Sequence, residues 1–148
     1  MSIAEPAAVE DDLEAVMHGL GETARDGFRA LARASTADKD KALRAGAAAI
    51  RSNTAAILDA NALDIAHGEK KGLRASLIDR LALDQERLEG VAVGLEAIAD
   101  LPDPVGMVMD NWTRPNGLEI SRVRIPLGVI GIIYESRPNV TIDCAGLC

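Results

Sequence analysis

Residues 124–143 read RIPLGVIGIIYESRPNVTID. Val129 to Ile133 is apolar without alternation, the pattern of a β-strand covered on both faces. A polar run of Tyr134, Glu135, Ser136, Arg137 and Asn139 follows at once. In open α/β sheets ligands bind in the crevice beyond the strand carboxyl ends, so this run is expected to belong to a site. Helical character resumes at Asn139. Gly128 is expected to permit close packing against a helix. A lone parallel strand has no partner, so the sheet is expected to be completed by residues beyond Cys148, and the chain reads as the front portion of a larger enzyme.

Upstream, the pattern is helical. Met1 to Asp12 reads as a loose acidic leader. Leu13, Val16, Met17, Leu20, Ala24, Phe28 and Leu31 recur with a 3.6-residue period. Ser35-Thr36-Ala37-Asp38 is a start signal for a second helix that ends near Asn53, because a hydroxyl can cap free N–H groups. A third helix spans about Thr54 to His67, and Gly68 to Gly72 is expected to be a charged turn. A short piece covers Ser76 to Leu83. Asp84 then caps a helix striped by Leu88, Val91, Ala92, Leu95, Ile98 and Ala99, which Pro102 and Pro104 end. From Val105 the period becomes two, and Arg114-Pro115-Asn116-Gly117 is turn chemistry. Leu118 to Ile125 returns, with a bulge or a change of environment expected between Ile120 and Val123. The fold class is therefore α/β: a helical block, an antiparallel hairpin, and the first strand of a parallel, Rossmann-like sheet.

Composition narrows the function. The chain has 148 residues, 48% hydrophobic but only 2% aromatic, so its core is aliphatic and alanine-rich. A net charge of −7 argues against nucleic acid, whose binders carry a basic face. No segment reaches the roughly 18 apolar residues of a membrane helix. Two cysteines four positions apart make no disulfide framework, and a cytoplasmic location is expected.

Several motifs fail. Gly128 and Gly131 do not complete a GxGxxG fingerprint, and no GxxxxGK[ST] loop occurs. Tyr134 lacks a lysine four residues on, where Pro138 stands. Asn139 has two readings: an amide aimed at a developing alkoxide, or a cap for the following helix, which periodicity by itself favours. Cys144 and Cys148 are too few for zinc. Cys148 reads as a small buried residue with no base beside it. His18 and His67 read as surface or boundary residues of their helices, and no metal is expected. Arg114, Arg122 and Arg124 read as a solvated strand face.

PLGVIGIIYESRPNVTID resembles the signature of the gamma-glutamyl phosphate reductase (glutamate-5-semialdehyde dehydrogenase) family. ILDANALDI, GLRASLIDRLAL and ADLPDPVGMV resemble the same family in order and spacing. The family belongs to the aldehyde dehydrogenase superfamily. The resemblance implies NADPH-dependent reduction of L-glutamate 5-phosphate to the semialdehyde, the second step of proline synthesis from glutamate. A cysteine thiolate attacks the acyl phosphate, phosphate leaves, and hydride reduces the thioester. It implies that Ile133, Tyr134 and Glu135 lie at the nicotinamide and that Asn139 is the oxyanion-hole asparagine. It also implies that residues 13–104 are the helical part of a cofactor-binding domain, 105–125 a hairpin that forms a homo-oligomer, and 126–148 the start of the NADP-binding sheet. Glutamate 5-kinase is a further partner expectation. The family's catalytic cysteine lies farther along than Cys148, so these 148 residues are expected to be inactive alone. Two rivals remain: a helical and hairpin interaction module, and the front end of another acyl-phosphate or aldehyde dehydrogenase.

Overall fold

A computed structural model describes residues 13–135 and 137–148. The leader expected at 1–12, and Ser136, lie outside the described residues. Two compact units are present. Among the described residues, the first holds 13–34 with 126–129 and the second holds 35–125 with 130–148.

The first unit contains helix α1, Leu13–Leu31. It follows the expected period, yet none of its residues is buried. Gly128 does not pack closely, as nothing lies within 4 Å of where its Cβ would be. It turns the chain instead, at φ 104°, where a side chain would be strained.

The second unit is built on α2 (Thr36–Ser52), α3 (Thr54–Lys70), α4 (Ala75–Leu81), α5 (Gln85–Ala99) and α6 (Pro138–Leu147). Ser35 caps α2 by accepting from the Asp38 N–H, and Asp84 caps α5 by accepting from the Arg87 N–H. Both caps were legible from residue type. α3 overruns the expected turn at Gly68 because Gly68 is a buried helix position. A Cβ there would stand 3.0 Å from Ile78 Cδ1 and 3.1 Å from Leu73 Cδ1. The turn falls at Gly72, with φ 72°.

The core is an aliphatic cluster of Ala47, Ile50, Leu88, Val91, Ala92 and Leu95 between α2 and α5. Ala47 and Ala92 are wholly buried, and small residues in a helix seam let two helix axes approach closely. α6 joins through Gly146, where a methyl group would come within 2.6 Å of Leu95 Cδ2. Leu95 is itself buried and has little room to yield.

Strands β1 (Val108–Thr113) and β2 (Glu119–Val123) form an antiparallel hairpin. Its irregularity lies between Val108 and Asp110, facing Val123 and Arg122. The extra residue is thus on the first strand, not between Ile120 and Val123. Residues 129–133 carry no sheet ladder. A parallel strand exists only where a neighbour exchanges hydrogen bonds with it, and no described strand does so. The coverage expected on both its faces is likewise not seen: Ile130, Ile132 and Ile133 are exposed.

Charge ties the helices at their edges. Arg51 of α2 bonds Glu89 through two nitrogens and also reaches Glu96, both on α5. Asp103 accepts from Lys39 Nζ at 2.7 Å and Thr36 Oγ1 at 3.0 Å, fastening the segment after α5 to the start of α2. Hydrogen bonds from Arg51 hold the Glu89 and Glu96 carboxyls below their ordinary range, and Lys39 does the same for Asp103. A carboxyl depressed in the folded state stabilises above its unfolded value, about 4, and loses that contribution as pH falls through the folded value. The thermal midpoint of the chain should therefore be level from neutral pH to about 5 and fall below about 4. Arg51→Met should lower the neutral midpoint and shrink the acid loss. Melts followed by circular dichroism from pH 7 to 3 check this, and an unchanged acid loss in the variant would remove Arg51 as its source.

Candidate functional site

α6 begins with Pro138, whose preset φ suits a first helical turn. Arg137 stands before it as the N-cap, in extended backbone, with no side-chain cap bond. Asn139 is therefore already inside the helix and is not the cap. Its Nδ2 donates to Asp143 Oδ2 at 2.9 Å, one turn along, and both side chains are half-buried. An amide nitrogen carries two hydrogens, so one remains for another acceptor. Its position is fixed by the helix and by Asp143.

Asn139 and Asp143 open onto a cleft of about 400 Å³. Its other walls are the end of α4 with Asp79 and Arg80, the link at Ala82 and Leu83, and the first half of α5 with Arg87 and Val91. Arg137 also lines it. Arg87 is committed to the wall: it donates to the backbone oxygens of Asp79 and Ala82 and pairs with the Asp79 carboxylate at 2.8 Å. Those carbonyls belong to the C-terminal end of α4, where a helix lacks its own donors. Hydrogen bonding to Asp79 holds the Arg87 guanidinium even more firmly protonated than usual.

The link between α4 and α5 is set by Asn61 on α3. Its Nδ2 donates to the Leu81 oxygen at 2.8 Å, and its Oδ1 accepts from the Leu83 N–H at 2.8 Å. Asn61 is buried, and this pairing satisfies both ends of its amide. Sequence reading did not single out Asn61, Arg80, Arg87 or Asp143. A usable signal for Asn61 was an asparagine within a helix, where its side chain competes with the backbone unless it has a tertiary partner.

Of the polar run after Ile133, Arg137 and Asn139 reach the cleft. Tyr134 bonds Thr141 Oγ1 through its hydroxyl at 2.7 Å, which returns the segment to α6. Ile133 and Glu135 are exposed, and Gly131 has open space where a Cβ would be. No glycine-rich phosphate loop occurs in the sequence. Cys144 is half-buried and Cys148 is exposed rather than buried, at the end of α6 with its N–H on the Cys144 oxygen. His18 and His67 are surface residues, and Arg114, Arg122 and Arg124 are exposed along the hairpin. No described helix is long and apolar enough to cross a membrane.

No family model matches the chain. Curated relatives do. A gamma-glutamyl phosphate reductase from Paramagnetospirillum magneticum is 59% identical over 137 residues, covering 93% of this chain and 32% of the relative. One from Caulobacter vibrioides is 58% identical over 132 residues, covering 89% and 32%. Among solved structures, gamma-glutamyl phosphate reductase from Thermotoga maritima superposes with a TM-score of 0.82 at 42% identity, covering 85% of this chain and 30% of that one. The Saccharomyces cerevisiae enzyme gives 0.80 at 32% identity, covering 84% and 32%. The resemblance read from the sequence is borne out, as is the helical block followed by a hairpin. The chain spans about a third of the length of the relatives it matches.

Asn61→Ala should strand the Leu81 carbonyl and the Leu83 N–H, at a cost of about 2–4 kcal/mol at the usual penalty for buried unpaired groups. Urea unfolding of the chain measures it. A loss below about 0.5 kcal/mol would mean that water replaces the amide and that Asn61 does not set the link.

Proposed function

We propose that this chain forms part of a gamma-glutamyl phosphate reductase, which reduces L-glutamate 5-phosphate to L-glutamate 5-semialdehyde and phosphate in the cytoplasm. The observation that carries the proposal is identity of 54–59% to relatives of that name over nearly the whole chain. In this reading Asn139 serves the oxyanion. Asp143 holds one amide hydrogen and orients the group, and the other N–H points its partial charge at the acyl oxygen as it gains electrons. The preference for NADPH and the attacking thiolate follow from the same reading. The thiolate comes from a cysteine other than Cys144 and Cys148. The nicotinamide cofactor supplies the hydride when bound. Ile133 would offer its ring an apolar face, Glu135 would accept from its carboxamide or ribose, and Tyr134 would contribute its ring only, since its hydroxyl is taken up by Thr141. Residues 13–104 are then the helical part of the cofactor-binding domain, and 126–148 the start of its sheet.

The hairpin at 105–125 is proposed to join subunits of a homo-oligomer. Its strands expose Val108, Met109 and Trp112, and a two-stranded ribbon has free edges that a second copy can pair. Glutamate 5-kinase is retained as a proposed contact of the complete protein.

The test uses the complete protein that carries this chain, assayed in reverse: glutamate semialdehyde, phosphate and NADP⁺. Asn139→Ala should lower kcat about a hundredfold or more, as expected for one oxyanion donor, with little change in cofactor affinity. A normal kcat with a lowered melting temperature would assign Asn139 a structural role only. Trp112→Lys should reduce the oligomer's mass in light scattering, and an unchanged mass would exclude the hairpin as the contact.

A further inference from the structure

Three arginines and two aspartates line the cleft between α4, α5 and α6, in a chain whose net charge is −7. The groups are not equivalent. Arg87 and Asp79 neutralise each other, and Arg87 gives both Nη1 hydrogens to the end of α4. Asp143 accepts from Asn139. Arg80 and Arg137 make no side-chain hydrogen bond or ion pair among the described residues, yet they come from segments more than fifty positions apart and flank the same opening. Packing of α6 on α5 through Gly146 is what brings Arg137 to the wall that carries Arg80. Two unspent cations therefore face one cleft in an acidic chain.

We propose that this cleft binds an oxyanion of the substrate, with Arg80 and Arg137 as its specificity residues. A guanidinium presents a planar fork of N–H donors that matches a carboxylate or a phosphate through two parallel bonds. The identity of the ligand rests on the reductase reading, in which the substrate carries an α-carboxylate at one end and an acyl phosphate at the other. Either end offers the required chemistry. Asn139 shares the cleft, so an anion gripped by the two arginines brings the rest of the substrate to the oxyanion amide. Asp143, the carboxylate not paired with a cation, can face the ammonium of an amino acid. Arg87 is not assigned to recognition, because its charge is paired with Asp79 and both Nη1 hydrogens hold the wall.

The direct test titrates the 148-residue chain with inorganic phosphate and, separately, with L-glutamate, following amide NMR shifts. Saturable shifts at residues 79–91 and 137–143 are expected. Arg80→Gln and Arg137→Gln should each weaken binding at least tenfold, Arg80→Lys should weaken it less, and Arg114→Gln on the hairpin should leave it unchanged. A response to phosphate alone assigns the site to the phosphoryl group, and a response to L-glutamate alone assigns it to the α-carboxylate. No saturable shift with either ligand, or shifts that persist in both glutamine variants, would overturn the proposal. In the complete protein, Arg80→Gln should raise KM for the corresponding substrate at least tenfold while changing kcat less. An inactive unmodified protein would sink the reductase reading and leave the titration to decide the cleft. An active protein whose kinetics ignore both substitutions would sink the cleft and leave the reductase reading standing.

Discussion

The second unit depends on how closely α2, α5 and α6 approach one another. Ala47 and Ala92 are fully buried where α2 meets α5, and Gly146 sets α6 so near Leu95 that a methyl group would not fit. With so few aromatic side chains in the sequence, apolar area must be buried by many small contacts at short range. The cleft is a consequence of this. Its walls are the end of α4 with its link, α5 and α6, and the contact of Gly146 that seats α6 on α5 lies outside it.

Polar side chains finish what the apolar core cannot. The link between α4 and α5 exposes backbone groups that neither helix can satisfy. Asn61 takes the Leu81 oxygen and the Leu83 N–H, and Arg87 takes the carbonyls of Asp79 and Ala82. These two side chains, from α3 and α5, hold in place the segment that carries Arg80. The same division of labour recurs at Asn139, where Asp143 fixes an amide whose second hydrogen is left for a ligand. At Asn139 only part of the polar group is used for architecture, which makes the geometry of the rest dependable.

Charge is distributed with the same economy. The acidic excess of the chain is partly absorbed by Arg51, which gathers Glu89 and Glu96 across the α2–α5 seam. These are surface pairs and contribute modestly in water, so they set register more than stability. Two of the cationic groups without a partner among the described residues, Arg80 and Arg137, line the cleft, where positive charge can attract an anionic substrate to an acidic protein.

The helices and the hairpin were legible because their signals are local. Ser35 and Asp84 cap by residue type, period 3.6 gives way to period two after Pro104, and Arg114 to Gly117 makes its turn from its own φ preferences. The polar run after Ile133 was legible as chemistry, and two of its members, Arg137 and Asn139, do reach the cleft. What the sequence could not supply was partnership. Gly68 looked like a turn residue because its closeness to Ile78 and Leu73 depends on how α4 folds back onto α3. The hairpin's irregularity sits on β1 because register is a property of two strands together. Residues 129–133 have the composition of a buried strand but no ladder, since a strand is completed by its neighbour and not by its own residues. Arg80 was invisible as a site residue for the same reason. Its own neighbours in sequence describe a helix end, and only the packing of α6 on α5 puts it in the cleft with Arg137 and Asn139.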